Sequence, residues 1–162
     1  MITYQTLEIN NNDLDVFRNY IQQNETNAEY KYWFSDKKFK NSNVCNIEAA
    51  FLDDKIISIS ACTYYDSETL RIAQFHYTLP KYRKHRNFMI DNNGFIKRHI
   101  DTARINSLPK LIVAIHSFNH KTSQMLNVWL NRRHKIKWFK EFDYIGIRNI
   151  RYTKQHCFVY QY

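Results

Sequence analysis

Apolar positions along the chain repeat first with the period of a strand and then with that of a helix. Residues 2–9 alternate well enough for a first strand. Asn12-Asp13 then caps a helix in which Leu14, Phe17 and Ile21 fall at i, i+3 and i+7. Residues 27–43 are polar and aromatic, with Tyr30, Trp33, Phe34 and Phe39 at roughly helical spacing, which predicts one or two short helices. The sharpest local pattern follows. Residues 47–52 and 55–64 read as two strands joined by a two-residue turn at Asp53-Asp54, a β-hairpin. A second turn at Asp66-Ser67 leads into residues 70–79 and completes a three-stranded antiparallel meander. Pro80 ends the last strand, because proline has no N–H to give to a ladder.

Beyond Pro80 the pattern changes. A basic segment, Lys81-Tyr82-Arg83-Lys84-His85-Arg86-Asn87, precedes residues 88–106, where Met89, Ile96, Ile100 and Ala103 form an amphipathic helical stripe. Asp91-Asn92-Asn93-Gly94 is a poor helix interior, so that helix should start frayed or kinked. Residues 111–115 are a short apolar run suited to a strand buried on both faces. Asn119 opens another helix, with Met125, Leu126, Trp129 and Leu130 turned inward. Arg132-Arg133-His134-Lys135 in its last turn complement the helix dipole. Residues 136–147 and 153–162 read as two long strands paired antiparallel. The order βα(α)βββαβαββ describes an α/β (α+β) domain over residues 1–162: a mixed, mostly antiparallel sheet with one βαβ crossover and flanking helices.

Composition narrows this picture. With 44% hydrophobic and 16% aromatic residues the chain is no disordered tail, and 2 Gly and 2 Pro are too few for a turn-rich sandwich. No apolar run reaches the roughly 18 residues of a membrane span, and residues 1–5 carry no signal-peptide features. Cys45, Cys62 and Cys157 are odd in number and lack CxxC spacing, which argues against a disulfide framework or a zinc knuckle and for a reducing, cytoplasmic setting. The net charge of +9 is uneven. Residues 1–70 carry 6 Lys+Arg against 11 Asp+Glu, a balance of −5, whereas residues 71–162 carry 18 against 4, a balance of +14. Such asymmetry suggests an anion met by the second half and something neutral or cationic met by the first.

The basic segment falls between a strand end and a helix N-terminus, where unpaired N–H groups and the helix dipole favour negative charge. Lys81, Arg83, Lys84 and Arg86 there predict a phosphate or pyrophosphate site. At this point the sequence resembles the GNAT superfamily of acyl-CoA-dependent N-acyltransferases. The stretch from Thr78-Leu79-Pro80 to Asn87-Phe88 is similar to that family's strand end and following R/Q-x-x-G-x-G/A phosphate loop, with Arg83 on the leading basic position. Ser117-Phe118-Asn119 resembles its second half, where an Asn opens the next helix, and the order of elements matches over nearly the whole chain. Both loop glycines are replaced, by Arg86 and Phe88, so side chains would contact the pyrophosphate instead, or the site is degenerate. The position of the family's general-acid Tyr is Leu126.

The resemblance implies acetyl-CoA or another acyl-CoA as co-substrate, with no metal. Its pantetheine arm would lie along Tyr77, Thr78 and Leu79 like an added strand, and a backbone N–H would polarise the thioester carbonyl. Its phosphates would meet Arg83, Lys84, His85, Arg86, Asn87 and Phe88, with Asn119 opening the far side of the site. An acceptor amine needs a base, and an imidazole with a pKa near neutrality suits. His76 ends the meander strand, and His116 with Ser117 ends the crossover strand; His116 is preferred. Asp66 and Glu68 beside the meander would favour a cationic acceptor. His116-x-x-x-His120 has a metal-ligand spacing but straddles a strand end and a helix start without a third ligand nearby. Cys62 reads as core, and Trp33, Trp129 and Trp138 as packing, although Trp138 beside Lys137 and Lys140 could stack a base. Two rival readings stay open: a nucleic-acid-associated protein tracking phosphates with its basic half, and a degenerate GNAT domain acting as a binding module.

Overall fold

Among the described residues seven strands form one sheet in the order β1-β2-β3-β4-β5-β7-β6. The computed structural model describes residues 1–84, 88–89, 91–116, 143–150 and 153–161. Strands β1 (Ile2–Leu7), β2 (Val44–Leu52), β3 (Lys55–Tyr64) and β4 (Thr69–Thr78) run antiparallel to one another, as the meander pattern predicts. The β2–β3 turn has Asp53 at φ 49 and Asp54 at φ 61, left-handed at both positions, and aspartate tolerates that conformation better than most residues. β5 (Lys110–His116) lies parallel to β4, so the strand–helix–strand unit is the one crossover among the described elements. β6 (Asp143–Ile150) and β7 (Thr153–Gln161) form the antiparallel tail, with β7 between β5 and β6. The helix expected to open at Asn119 falls outside the described residues.

Helices cover both faces of the sheet. On one face lie α1 (Asn12–Asn24), α2 (Ala28–Trp33) and α3 (Asp36–Lys40). Asn11 caps α1, its Oδ1 accepting from the N–H groups of Asp13 at 2.9 Å and Leu14 at 3.2 Å, one residue earlier than the sequence suggests. Leu14, Phe17 and Ile21 turn into a core with Phe34, Phe39, Ile59, Phe75 and Tyr77. Edge-to-face ring contacts link Phe34, Phe39 and Phe75 to Tyr77 and Trp33, so this face is an aromatic layer. No described helix is long and apolar enough to cross a membrane.

On the opposite face α4 (Phe95–Ile105) buries Phe95, Ile96, Ile100 and Ala103 against Ala50, Ile57, Cys62 and Leu70. The helix starts at Phe95 rather than at 88. Phe88 and Met89 are core residues, 2% and 1% exposed, and their carbonyls accept from the N–H groups of Phe95 at 2.9 Å and Ile96 at 3.1 Å. Gly94 is required at the cap, because a Cβ there would stand 2.5 Å from the Phe88 carbonyl oxygen. The residues ahead of the helix therefore cap it themselves.

The α4 interface is also polar. Glu48 on β2 is 2% exposed and accepts from Thr6 Oγ1 at 2.8 Å, Asn46 Nδ2 at 2.7 Å and Arg98 Nε at 2.5 Å. Asn46 Nδ2 also bonds Thr102 Oγ1 at 2.9 Å, tying α4 to β2 at a second level. A buried carboxylate is tolerated only when it is neutralised and fully hydrogen-bonded, as Glu48 is. Replacing Arg98 with Ala should therefore destabilise the fold by about 3 kcal/mol or more, because it strands the Glu48 charge. The denaturation midpoint of Arg98→Ala tests this, and the double variant Arg98→Ala with Glu48→Gln should recover part of the loss.

Candidate active site

Parallel pairing between β4 and β5 covers only Thr69↔Lys110 to Ile72↔Val113. β4 continues to Thr78 on its β3 edge, with Ile59↔Tyr77 and Ser58↔Thr78, while β5 continues to His116 paired with β7. The two strands thus part after their fourth pair. Among the described residues the second half of β4 has no strand on that edge, which leaves backbone donors and acceptors free for an added extended group. Tyr77 and Thr78 stand on this parted half, and Leu79 follows with its N–H bonded to the Ile57 carbonyl at 2.9 Å. His116 lies at the end of β5, paired with Gln155 of β7; its side chain, like Ser117, Asn119, His85, Arg86 and Asn87, lies outside the described residues.

Side chains alternate across the parted half of β4, and the two faces differ in chemistry. Tyr77 points toward α1. Its hydroxyl donates to Glu25 Oε2 at 2.7 Å, and its ring meets Tyr30 at 5.5 Å and Phe17 at 6.0 Å. Glu25 is the C-cap residue of α1, at the joint with α2, where Oε1 accepts from the Asn27 N–H at 3.0 Å. The Tyr77 hydroxyl first, then the Asn27 N–H and the Arg83 charge, hold the Glu25 carboxyl below the usual carboxylate range against the opposing effect of burial. Burial and the Glu25 bond push the Tyr77 phenol well up, so it stays protonated as a donor.

Arg83 completes this cluster. Its Nε donates to the Thr78 carbonyl at 2.7 Å, its guanidinium lies 5.0 Å over the Tyr77 ring, and Nη2 stands 3.9 Å from Glu25 Oε2. The residue expected to lead the phosphate loop is thus folded back across the strand end. Lys84 is exposed beside it. Two other expectations for this loop need correction. Phe88 is not a surface loop residue but core, packed 6.5 Å from Phe95. The first N–H groups of α4 are not open to an anion, because Phe88 and Met89 carbonyls occupy them.

His76 points to the opposite face, under α4, with its ring 5.9 Å from Phe95. Burial, with the Arg83 charge adding to it, lowers its imidazole to about 4. His99 on α4 is fully buried, its Nε2 3.0 Å from Ser60 Oγ, and burial with the neighbouring His76 lowers it to about 3. Neither Nδ1 has a partner among the described residues. An imidazole this hard to protonate is a poor proton acceptor near neutrality, and it faces away from Glu25 and Tyr77. Asp66 and Glu68 are also displaced from the expected place. They occupy the β3–β4 turn, at the paired end of the sheet, where Glu68 lies 3.8 Å from Lys110. The carboxylate at the parted end is Glu25, which sequence reasoning missed, since no spacing links residue 25 to residue 77.

Similar folds are known. The PaiA N-acetyltransferase from Thermoplasma acidophilum, solved in complex with coenzyme A, superposes at a TM-score of 0.62 with 13% identity, over 100% of this chain and 99% of that one. A GNAT family acetyltransferase from Elizabethkingia anophelis with acetyl-CoA bound gives 0.63 with 12% identity, over 99% and 98% of the two chains. The ribosomal-protein-S18-alanine N-acetyltransferase from Escherichia coli gives 0.59 with 12% identity, over 98% and 91%. The chain has the GNAT fold. No family model matches its sequence, and no curated protein does. Within this GNAT fold Tyr77 and Thr78 stand on the parted half of β4, whereas Arg83 folds back over the strand end and Phe88 is buried.

The two histidines under α4, His99 buried and His76 half-buried, also set a pH dependence. Each imidazole has a lower pKa folded than unfolded, so stability is full above about pH 6.5 and falls below it, where only the unfolded chain takes up the protons. Urea unfolding from pH 7 to pH 4.5 should show a loss of up to about 1.4 kcal/mol per pH unit for each such histidine. His99→Gln should flatten the slope in this window, which lies above that of the lowered carboxylates Glu25 and Asp36.

Proposed function

We propose that this chain transfers an acyl group from acyl-CoA to the amine of a cationic acceptor. The observation that carries this reading is the parting of β4 from β5 in a GNAT fold, with Glu25 and Tyr77 beside the unpaired edge of β4. An acyl-pantetheine arm laid along that edge would pair with its free backbone groups as an added strand. A β4 N–H would then polarise the thioester carbonyl and stabilise the oxyanion formed when the amine attacks. His116, across the opening, would take the amine's proton, and the thiolate of coenzyme A would leave.

Arg83 has two roles in this scheme. Its Nε now occupies the Thr78 carbonyl, an acceptor on the edge that the arm would use. Turning outward to the pyrophosphate would release that carbonyl and supply a charge-assisted contact in place of the missing loop glycines. It would also uncover Glu25, whose ionised carboxylate and neighbouring Tyr77 ring suit an ammonium group.

Acetyl-CoA should bind with micromolar-range affinity and raise the melting temperature, with only a weak dependence on salt. A protein that instead gives no heat with millimolar CoA, and binds short DNA with an affinity falling as roughly the sixth power of salt, would belong to the nucleic-acid reading.

Kinetics separate the acceptor's anchor from the base. Glu25→Gln should raise KM for a diamine acceptor by about ten- to a hundredfold, the loss of one charge-assisted contact, without weakening acetyl-CoA binding, since it also frees Arg83 for the pyrophosphate. His116→Ala should lower kcat by about 10²–10⁴ and remove a rise in rate with pH through roughly pH 6–8. Equal KM values for Glu25→Gln and the unaltered protein would place the acceptor elsewhere.

A further inference from the structure

At the other end of the sheet, two cysteines far apart in sequence come together. Between Val44↔Thr63 and Asn46↔Cys62 the β2–β3 register shifts by one residue, so Cys45 is the extra residue of a β-bulge beside Cys62. Both sulfurs face the α4 side: Cys62 belongs to the core cluster under that helix, and Cys45 packs against the same cluster. Cys62 is fully buried with its Sγ against Asn46 Oδ1, whereas Cys45 is partly exposed. Each thiol shifts the ionisation of the other, and the exposed Tyr64 also shifts that of Cys45. Both cysteines are free thiols.

We propose that Cys45 is a thiol-oxidation site, open to peroxides, and that Cys62 is the partner that resolves it to a cross-strand disulfide. Three features separate this pair from a chance neighbourhood of two core thiols. The bulge places Cys45 on the same side of the sheet as Cys62, where regular alternation from Asn46 would turn it away. Cys45 can be reached from solvent and Cys62 cannot, the division of labour that attack and resolution need. Cys62 first, then Tyr64, lower the Cys45 thiol from its ordinary value against the opposing effect of burial, and this favours its thiolate, while Cys45 and then burial push Cys62 up. Cys157 on β7 is the internal contrast: buried, with its thiol pushed up by burial.

The chemistry balances with a peroxide as oxidant. The Cys45 thiolate attacks one peroxide oxygen, an S–O bond forms, the O–O bond breaks, and the leaving oxygen takes a proton to become water or an alcohol. The Cys62 sulfur then attacks the Cys45 sulfur, the S–S bond forms and the S–O bond breaks, and the hydroxyl leaves as water with the Cys62 proton. Two thiols lose two electrons and the peroxide gains them. The bond would join β2 to β3 at the end where β4 and β5 are still paired, away from Tyr77, Glu25 and Arg83.

The test uses the reduced full chain, freed of reductant and treated with hydrogen peroxide. Non-reducing mass spectrometry should find a product about 2 Da lighter, with one linked peptide pair carrying Cys45 and Cys62, and Cys157 still free to alkylate. In Cys62→Ala the same treatment with a sulfenic-acid trap should label Cys45, and before oxidation Cys45 should alkylate about tenfold faster than Cys157 at pH 7. A disulfide through Cys157, or Cys45 and Cys62 both still free after Cys157 is oxidised, overturns the proposal. The mass measurement on the unaltered chain decides the matter even if Cys62→Ala folds poorly.

Discussion

Strand β4 has two edges to satisfy, and among the described residues only one of them has a partner strand at its end. Its β3 edge has an irregularity opposite Cys62 and is then paired from Phe75 to Thr78, while its β5 edge has four pairs and then opens. Much of the candidate site follows from that mismatch. An unpaired strand edge in the middle of a sheet exposes backbone groups that must find partners, and Arg83 Nε on the Thr78 carbonyl is one such partner drawn from the chain itself. The same opening makes the second half of β4 a template for an extended ligand.

The alternation of side chains along β4 then sorts two neighbours into opposite environments. His76 goes under α4, where its ring meets Phe95 and burial lowers its pKa. Tyr77 goes toward α1, where it meets a carboxylate delivered by the end of a helix more than fifty residues earlier. The α4 face is the structural side: Glu48, Asn46, Ser60 and His99 form a polar seam that fastens the helix to the sheet. The α1 face is the side with ionised groups near the opening. One residue of register on this strand decides which side chain can meet a substrate, and a slip would exchange the two.

Much of the architecture was legible from residues alone. Period-two alternation marked the meander, the paired aspartates marked its turn, Leu14, Phe17 and Ile21 marked the buried stripe of α1, and Pro80 marked the end of β4. These are local signals, set by backbone sterics and by which face of one element is apolar, so sequence determines them without knowing what packs where. The parallel crossover also followed, because a strand, a helix and a buried strand in succession have few ways to connect.

The site depended on tertiary structure. Nothing in the spacing of Glu25, Tyr77 and Arg83 announces a cluster, since the contact arises only when the end of α1 is laid over the parted end of β4. Phe88 fell on a phosphate-loop position by alignment with a motif, yet burying an aromatic ring beneath α4 outweighs leaving it in a solvent loop, and the helix start moved to Phe95 in consequence. Cys45 and Cys62 carried no CxxC signal, because a bulge between neighbouring strands, not sequence proximity, brings them together. Among the described residues, sequence by itself therefore determined which elements form and in what order. Tertiary structure alone decided which side chains meet, because contacts between elements depend on register, bulges and where two strands part, and none of these is written in a single local period.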